Sequence, residues 1–176
     1  MSAPAGRKAG LWMLSLAWLA GLILASRFFA DWEQKAYNPN TQPISRHQGS
    51  WIEVVLRANA QGHFFSAGRI NNQPVVFLLD TGATDVAIPL SLSKTLGLEP
   101  REAQSIRTAN GLVTGRRTHI DRLSLGDIVL RDVRAILIPD FKDQNILLGM
   151  SALKQLEFTQ RDGTLVLRQP ISEQHD

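Results

Sequence analysis

An aspartate that follows an uninterrupted apolar run is the residue of this chain best placed to do chemistry. Asp80 comes directly after five apolar residues, 75–79, and directly before Thr81-Gly82, where a turn is expected. Burying a carboxylate at the end of a central strand costs free energy unless the site makes use of that group. The pattern therefore indicates a functional acid at Asp80, suited to general acid-base catalysis.

Other residue types provide weaker candidates. The chain contains no cysteine, which excludes disulfides, thiolate nucleophiles and cysteine-ligated metal centres. Its histidines are scattered without the spacing of metal ligands, and no serine has the context of a nucleophile elbow. A glycine-rich phosphate loop is also absent. We therefore expect neither a metal nor a cofactor.

The distribution of charge argues against nucleic acid as a partner. The 176-residue chain has a formal net charge of +3. This excess lies within residues 1–50, whereas residues 51–176 carry equal numbers of basic and acidic side chains. A domain without net positive charge has no general attraction to phosphates, so we expect no nucleic-acid binding.

The elements that would position Asp80 are mostly short strands. From Trp51 onward, apolar runs alternate with turn residues, which is typical of an all-β sandwich or barrel. Two short helices interrupt the strands, one over Pro89–Leu98 and one near Ser151–Gln155. Strands are predicted at 52–56, 63–70, 74–79, 105–108, 112–125, 128–138, 146–149, 157–159 and 164–168.

The N-terminal region has a different character. Residues 1–10 are small and polar, and residues 11–30 are almost entirely apolar, long enough for one transmembrane helix. A cleaved signal peptide, which would leave a soluble protein, is the main alternative for this run. Residues 31–50 are polar with two prolines and predict a flexible linker, and residues 51–170 form the predicted domain.

The motifs together resemble a known family. The segment around Asp80, VVFLLDTGATDVAIP, is similar to the active-site segment of retropepsin-like (clan AA) aspartic proteases. Downstream, Leu147-Leu148-Gly149 followed by a short helix resembles the apolar-Gly signature of that fold. Between them, TANG over residues 108–111 falls where the family carries its flap hairpin. The closest likeness is to a bacterial, membrane-anchored subgroup with a single DTGA motif.

The resemblance implies a single-lobe acid-protease barrel and a role for each motif. Asp80 would be the catalytic acid and base, supported by the active-site loop residues Thr81, Gly82 and Ala83. The flap tip and substrate-binding residues would be Ala109, Asn110 and Gly111. Because Ala83 cannot donate the hydroxyl hydrogen bond that Ser or Thr supplies in some relatives, we expect optimal cleavage at mildly acidic to neutral pH.

Aspartic proteolysis requires two carboxyl groups that share a proton, and this chain has one Asp-Thr-Gly. The resemblance therefore implies a homodimer that cleaves peptides or proteins bound in extended conformation. Arg7, Lys8 and the N-terminal amine lie on one side of the apolar run, and Arg27 and Lys35 lie on the other. This distribution of positive charge favours an inner-membrane anchor with the domain outside the cytoplasm. The alternative is a tethered retropepsin-fold module that dimerises or binds peptides without cleaving them.

Overall fold

The structure is a computed structural model that describes residues 5–108, 111–139 and 145–171. It divides into two compact units, Met1–Tyr37 and Asn38–Asp176. The first unit is a helix and the second is a β domain, and each is described by itself.

Helix α1 spans Ala5–Tyr37 and is apolar around its circumference. Large apolar side chains such as Trp12, Trp18 and Phe28 are all more than 60% exposed. Its segment Gly10–Tyr37 is long and apolar enough to cross a membrane, a criterion that an N-terminal signal sequence also meets. The helix contains the apolar run predicted over residues 11–30 and continues for seven residues beyond it.

The β domain confirms the all-β prediction. Within the described ranges of this domain, the two short helical elements are a 3₁₀ turn at Leu90–Leu92 and helix α2 at Met150–Leu153. The strands of the described residues are β1 Ile44–Gln48, β2 Trp51–Arg57, β3 Phe65–Ile70, β4 Gln73–Leu79, β5 Val86–Pro89, β6 Ala103–Thr108, β7 Gly111–Leu125, β8 Ile128–Ile138, β9 Ile146–Leu148, β10 Glu157–Arg161 and β11 Thr164–Pro170.

Two sheets enclose the core. A seven-stranded sheet has the order β3-β4-β9-β5-β8-β7-β6, and additional pairing between β3 and β7 curls it into a barrel. A four-stranded antiparallel sheet has the order β1-β2-β11-β10. Strand β4 lies between β3 and the parallel strand β9, so the segment before Asp80 is central, as its apolar composition predicted. Phe77 in β4 and Leu148 in β9 are buried in the core.

The prediction of a helix over Pro89–Leu98 is wrong. Pro89 ends strand β5, where it is paired with Ile138 of β8, and only one 3₁₀ turn follows. The Ser93 hydroxyl donates to the Leu90 carbonyl at 2.8 Å, and Gly97 ends the segment in a left-handed conformation. Pairing of β5 with distant strands outweighs the helical preference, and the serine hydroxyl competes for a backbone carbonyl that a helix would use.

The flexible linker predicted over residues 31–50 is also not what the structure contains. Residues 32–37 continue α1, and β1 pairs with β2 along its whole length. Asn40 is buried, and its side-chain amide donates to the carbonyls of Arg57 and Phe65 at 2.9 and 2.6 Å. Its side-chain oxygen accepts the Arg57 N–H at 2.8 Å. A side-chain amide that bonds like a peptide group anchors this polar segment, which composition alone did not indicate.

Candidate active site

Asp80 stands at the end of strand β4, beside strand β9. The backbone N–H of Leu79 donates to the Phe64 carbonyl at 3.0 Å, and that of Asp80 donates to the Leu148 carbonyl at 3.2 Å. Leu79 and Leu148 are register partners in the parallel pair of β4 and β9. The backbone that carries the carboxylate is therefore held on one side by strand β9 and on the other by Phe64, the residue before β3, as a precisely positioned catalytic group requires.

The loop after Asp80 turns back onto the carboxylate. The Gly82 N–H donates to Asp80 Oδ1 at 2.9 Å, and the Ala83 N–H donates to the Asp80 carbonyl at 3.2 Å. A Cβ atom on Gly82 would lie 3.2 Å from Asp80 Oδ1. Glycine therefore suits this position because of the close approach to the carboxylate, and its backbone is not left-handed. Thr81 is exposed, whereas the Asp80 side chain is half-buried.

The predicted apolar-Gly motif lies directly behind this loop. Leu148 is buried and Leu147 is half-buried in β9. A Cβ atom on Gly149 would lie 2.8 Å from the Ala83 carbonyl oxygen and closer still to that of Asp85. The Met150 N–H donates to the Ala83 carbonyl at 2.8 Å, so only a glycine lets the two backbones approach this closely.

Ser151 supports the loop, although it was not among the site residues predicted from the sequence motifs. The Ser151 N–H donates to the Thr84 carbonyl at 2.9 Å, and its hydroxyl accepts the Val86 N–H at 3.1 Å. The same hydroxyl donates to the Arg134 carbonyl at 2.7 Å and is buried. This one side chain thus ties the end of the active-site loop to strand β8. Its position directly after Gly149-Met150 was the available signal.

An ion pair also flanks the loop. Arg134 Nη2 lies 3.2 Å from Asp85 Oδ1, and about a fifth of the Asp85 side chain is exposed. Although the distance is that of an ion pair, the Asp85 oxygen is buried without an aligned hydrogen bond. The contact therefore restrains the Asp85 side chain mainly through charge attraction.

The carboxylate opens onto a cavity of about 180 Å³ that lies between the active-site loop and strand β10. In the described residues, Asp80 is the only acid that lines it. A larger cavity of about 610 Å³ near Pro74 and Leu96 contains none of the predicted site residues. The smaller cavity is lined by Gly62, His63, Phe64, Leu79, Asp80, Thr81, Leu153, Phe158, Gln160 and Leu165.

Strands β6 and β7 form a long hairpin over the part of the sequence for which a flap is predicted. Strands β6 and β7 pair antiparallel from Ala103 and Arg116 to Thr108 and Gly111. Gly111 has a φ of 114°, a conformation that favours glycine in a tight turn. The other predicted tip residues, Ala109 and Asn110, lie outside the described residues.

A comparison with protein families identifies the domain. Residues 66–155 match the model of the gag-polyprotein putative aspartyl protease family. This match includes the strand before Asp80, the active-site loop, the hairpin and the apolar-Gly motif.

The comparison with solved structures agrees. The chain is similar to the crystal structure of a retropepsin-like aspartic protease from Rickettsia conorii, with a TM-score of 0.56 and 25% identity. The match covers 65% of this chain and 98% of that chain. The retropepsin-like fold expected from the motifs is thereby confirmed.

Curated relatives have no assigned activity. An uncharacterised protein of Sinorhizobium sp is 32% identical over 111 residues, which are 61% of this chain and 48% of that protein. An uncharacterised protein of Rickettsia prowazekii (strain Madrid E) is 32% identical over 62 residues, 34% of this chain and 27% of that protein. The matched segments thus span about half or less of these relatives.

Proposed function

We propose that this chain, which belongs to the retropepsin-like family of aspartic proteases, is an endopeptidase that hydrolyses peptide bonds as a homodimer. The observation that carries the proposal is the Asp80 carboxylate, fixed at a core strand end by the Gly82 N–H at 2.9 Å and open to a cavity. A half-buried acid held in this way is suited to act on a bound substrate.

The proposed reaction uses two Asp80 carboxyl groups, one from each subunit, with one proton between them. The ionised carboxylate takes a proton from water, and the oxygen of that water attacks the scissile carbonyl carbon. The protonated carboxyl donates its proton to the carbonyl oxygen, which gives a neutral gem-diol. As the gem-diol collapses and the C–N bond breaks, the protonated carboxyl group gives its proton to the amine nitrogen and the other carboxylate takes a proton from a gem-diol hydroxyl. The products are a carboxylic acid and an amine, and the pair again holds one proton.

A second subunit is needed because one chain supplies only one of the two carboxyl groups that the reaction uses. The sequence has a single Asp-Thr-Gly, and Asp80 is the sole acid lining the described cavity. Two like charges at contact distance do not both ionise, so a symmetric pair retains the shared proton that the chemistry requires. A two-fold axis beside Asp80 would supply the pair from identical chains.

The substrate is proposed to be an extended peptide segment. The β6–β7 hairpin would close over it, with Ala109, Asn110 and Gly111 at the tip, and exclude water from the reacting atoms. Main-chain hydrogen bonds to an extended peptide give affinity, while side-chain pockets give sequence preference.

Helix α1 is proposed to anchor the protein in the inner membrane with the β domain outside the cytoplasm. The support is its length, its apolar composition and the exposure of its large side chains on every side. Confinement to a membrane plane would raise the effective concentration of subunits and favour the dimer.

The experiment is cleavage of an unstructured protein such as casein by the full chain in detergent micelles. Asp80→Asn should reduce the initial rate by at least about 10³-fold, because the amide can neither accept nor donate the catalytic proton. Asp121→Asn, at an exposed position of β7, is the matched control and should cleave like the parent chain. A folded Asp80→Asn protein that retains the parent rate would overturn the proposal and favour a peptide-binding module.

A further inference from the structure

The chain passes from helix α1 into the β domain over very few residues. Helix α1 ends at Tyr37, and Asn40 is already bound to strands of the β domain. Only Asn38 and Pro39 lie between them, and the Asn38 side-chain oxygen accepts the Asn40 N–H at 2.9 Å in a local turn. This short connection replaces the flexible linker that the composition of residues 31–50 predicted.

Asn40 is fixed to the β domain through both its side chain and its main chain. The side chain bonds to Arg57, at the end of β2, and to Phe65, at the start of β3. The Asn40 carbonyl accepts the Ala67 N–H at 3.0 Å, and the residue is 6% exposed. A residue with so many buried contacts is not a hinge, so the chain enters the β domain at a fixed point.

This point of entry lies close to the proposed catalytic residue. Asn40 contacts Phe65, whose register partner in β4 is Leu78. Leu78 is two residues before Asp80. Paired strands lie about 5 Å apart, and a strand advances about 3.3 Å per residue. With the length of the Asn40 side chain and its hydrogen bond added, the Asp80 Cα atom lies within about 20 Å of the Asn40 Cα atom.

The length of α1 is comparable to the thickness of a whole bilayer. Its apolar run, residues 11–30, extends over about 30 Å at 1.5 Å per residue, which is the thickness of the hydrocarbon core. Residues 31–37 add about 10 Å, somewhat more than one layer of headgroups. Trp32 and Tyr37 in this part are 64% and 45% exposed, and both residue types favour the headgroup layer. When α1 spans a membrane, it therefore ends near the outer limit of the headgroups.

We propose that the protein cleaves membrane-attached substrates within the segment that adjoins the bilayer. This inference rests on the proposed function, since it requires both the peptidase and the anchor. The three residue steps from Tyr37 to Asn40 cover about 10 Å at full extension. Because Asp80 lies within about 20 Å of Asn40, the covalent chain confines the catalytic group to about 30 Å from the membrane surface.

This limit decides which peptides meet the carboxyl pair. An unfolded segment close to the bilayer is confined to the same layer as Asp80, so its effective concentration at the site is high. A segment that a rigid spacer holds far above the membrane has a low effective concentration there. A fully extended linker over residues 31–50 would instead reach about 65 Å and would remove this restriction.

Two model substrates measure the reach of the active site. Each has one membrane span and one unstructured casein segment. The segment directly follows the span in the near substrate, whereas in the far substrate it follows a helical spacer of about 60 residues, or about 90 Å. In vesicles that also contain the full chain, the near substrate should be cleaved at least about tenfold faster. Equal rates would overturn the proposal.

A longer connection tests the cause of the preference. About 40 Gly and Ser residues inserted between Tyr37 and Asn38 have a root-mean-square length of about 35 Å. This insertion should bring the rates for the near and far substrates within about threefold of each other. The same segment fused after Asp176 is the matched control and should retain the parent preference, because it leaves the connection from α1 unchanged. A preference that survives the insertion contradicts the proposal.

Energy transfer measures the height of the β domain without any cleavage. The chain has no cysteine, so Asp121→Cys provides a single site for a donor dye at an exposed position of β7. Transfer to acceptor-labelled headgroups should fall about twofold when the Gly-Ser segment is inserted after Tyr37. Equal transfer in the two proteins would show that the connection does not confine the domain.

The proposed function and this restriction can fail separately. Dissolved casein reaches the site at any height, so the parent chain and the insertion variant should cleave it at equal rates. Absence of casein cleavage by both proteins would remove the peptidase and the substrate preference with it, while energy transfer would still report the position of the domain. Casein cleavage together with equal rates for the near and far substrates would retain the peptidase and remove the restriction.

Discussion

The backbone N–H of Met150 donates to the carbonyl of Ala83 over 2.8 Å, which joins the apolar-Gly segment directly to the loop that carries Asp80. The two residues are far apart in sequence, and Gly149 makes their approach possible because it has no side chain. The position of the carboxylate therefore depends on packing behind the loop as much as on the loop itself.

Gly149→Ala should destabilise the β domain by about 2–4 kcal/mol, because the new methyl group would overlap the backbone of Ala83 and Asp85. The midpoint of urea unfolding measures this loss. Gly21→Ala is the control, since a Cβ atom there meets nothing within 4 Å. An unchanged midpoint for Gly149→Ala would show that the two segments do not approach as closely as described.

Ser151→Ala should cost about 2–3 kcal/mol, because it leaves the buried Val86 N–H and Arg134 carbonyl without their partner. Ser91→Ala, at an exposed position, should change the unfolding midpoint little. We also expect the cleavage rate per folded molecule to fall, since the end of the active-site loop loses its tie to β8. A variant as stable as the parent would contradict this supporting role.

Asn40→Ala should destabilise the β domain by about 2–3 kcal/mol, since three hydrogen bonds to strand backbone are lost at a buried position. Thermal unfolding of the full chain measures the effect. Gln48→Ala, exposed at the end of β1, provides the comparison. If residue 40 belonged to a flexible linker, both substitutions would be neutral.

Ala83→Thr should move the acidic limb of the pH–rate profile to lower pH. A hydroxyl that donates to the ionised carboxylate favours the charged form, so the catalytic pair would deprotonate in more acidic solution. Valine has nearly the same shape as threonine but no hydroxyl to donate a hydrogen bond. Ala83→Val should therefore leave the acidic limb at the pH found for the parent chain. Equal profiles for the Thr and Val variants would exclude the hydrogen bond as the cause.

Local patterns were sufficient to predict much of the fold. Strand β8 spans Ile128–Ile138, as predicted. The Gly126-Asp127 turn directly before it and the apolar residues that follow the turn mark its beginning. Asp80 at a central strand end and Gly149 after a buried strand could be located in the same way. These features depend on neighbouring residues, whose burial period and turn conformations are encoded locally.

The sequence by itself determined the family, the Asp-Thr-Gly motif and most strands except β1 and β5, whereas only the tertiary structure decided which side chains hold them together. Asn40 bonds to Arg57 and Phe65, and Glu53 pairs with Arg168, 115 residues away. The strand order of the described residues places β10 at the end of the four-stranded sheet, where Phe158 and Gln160 line the cavity beside Asp80. These hydrogen-bond and ion-pair partners depend on how segments distant in sequence pack together, and a local sequence pattern carries no information about that packing.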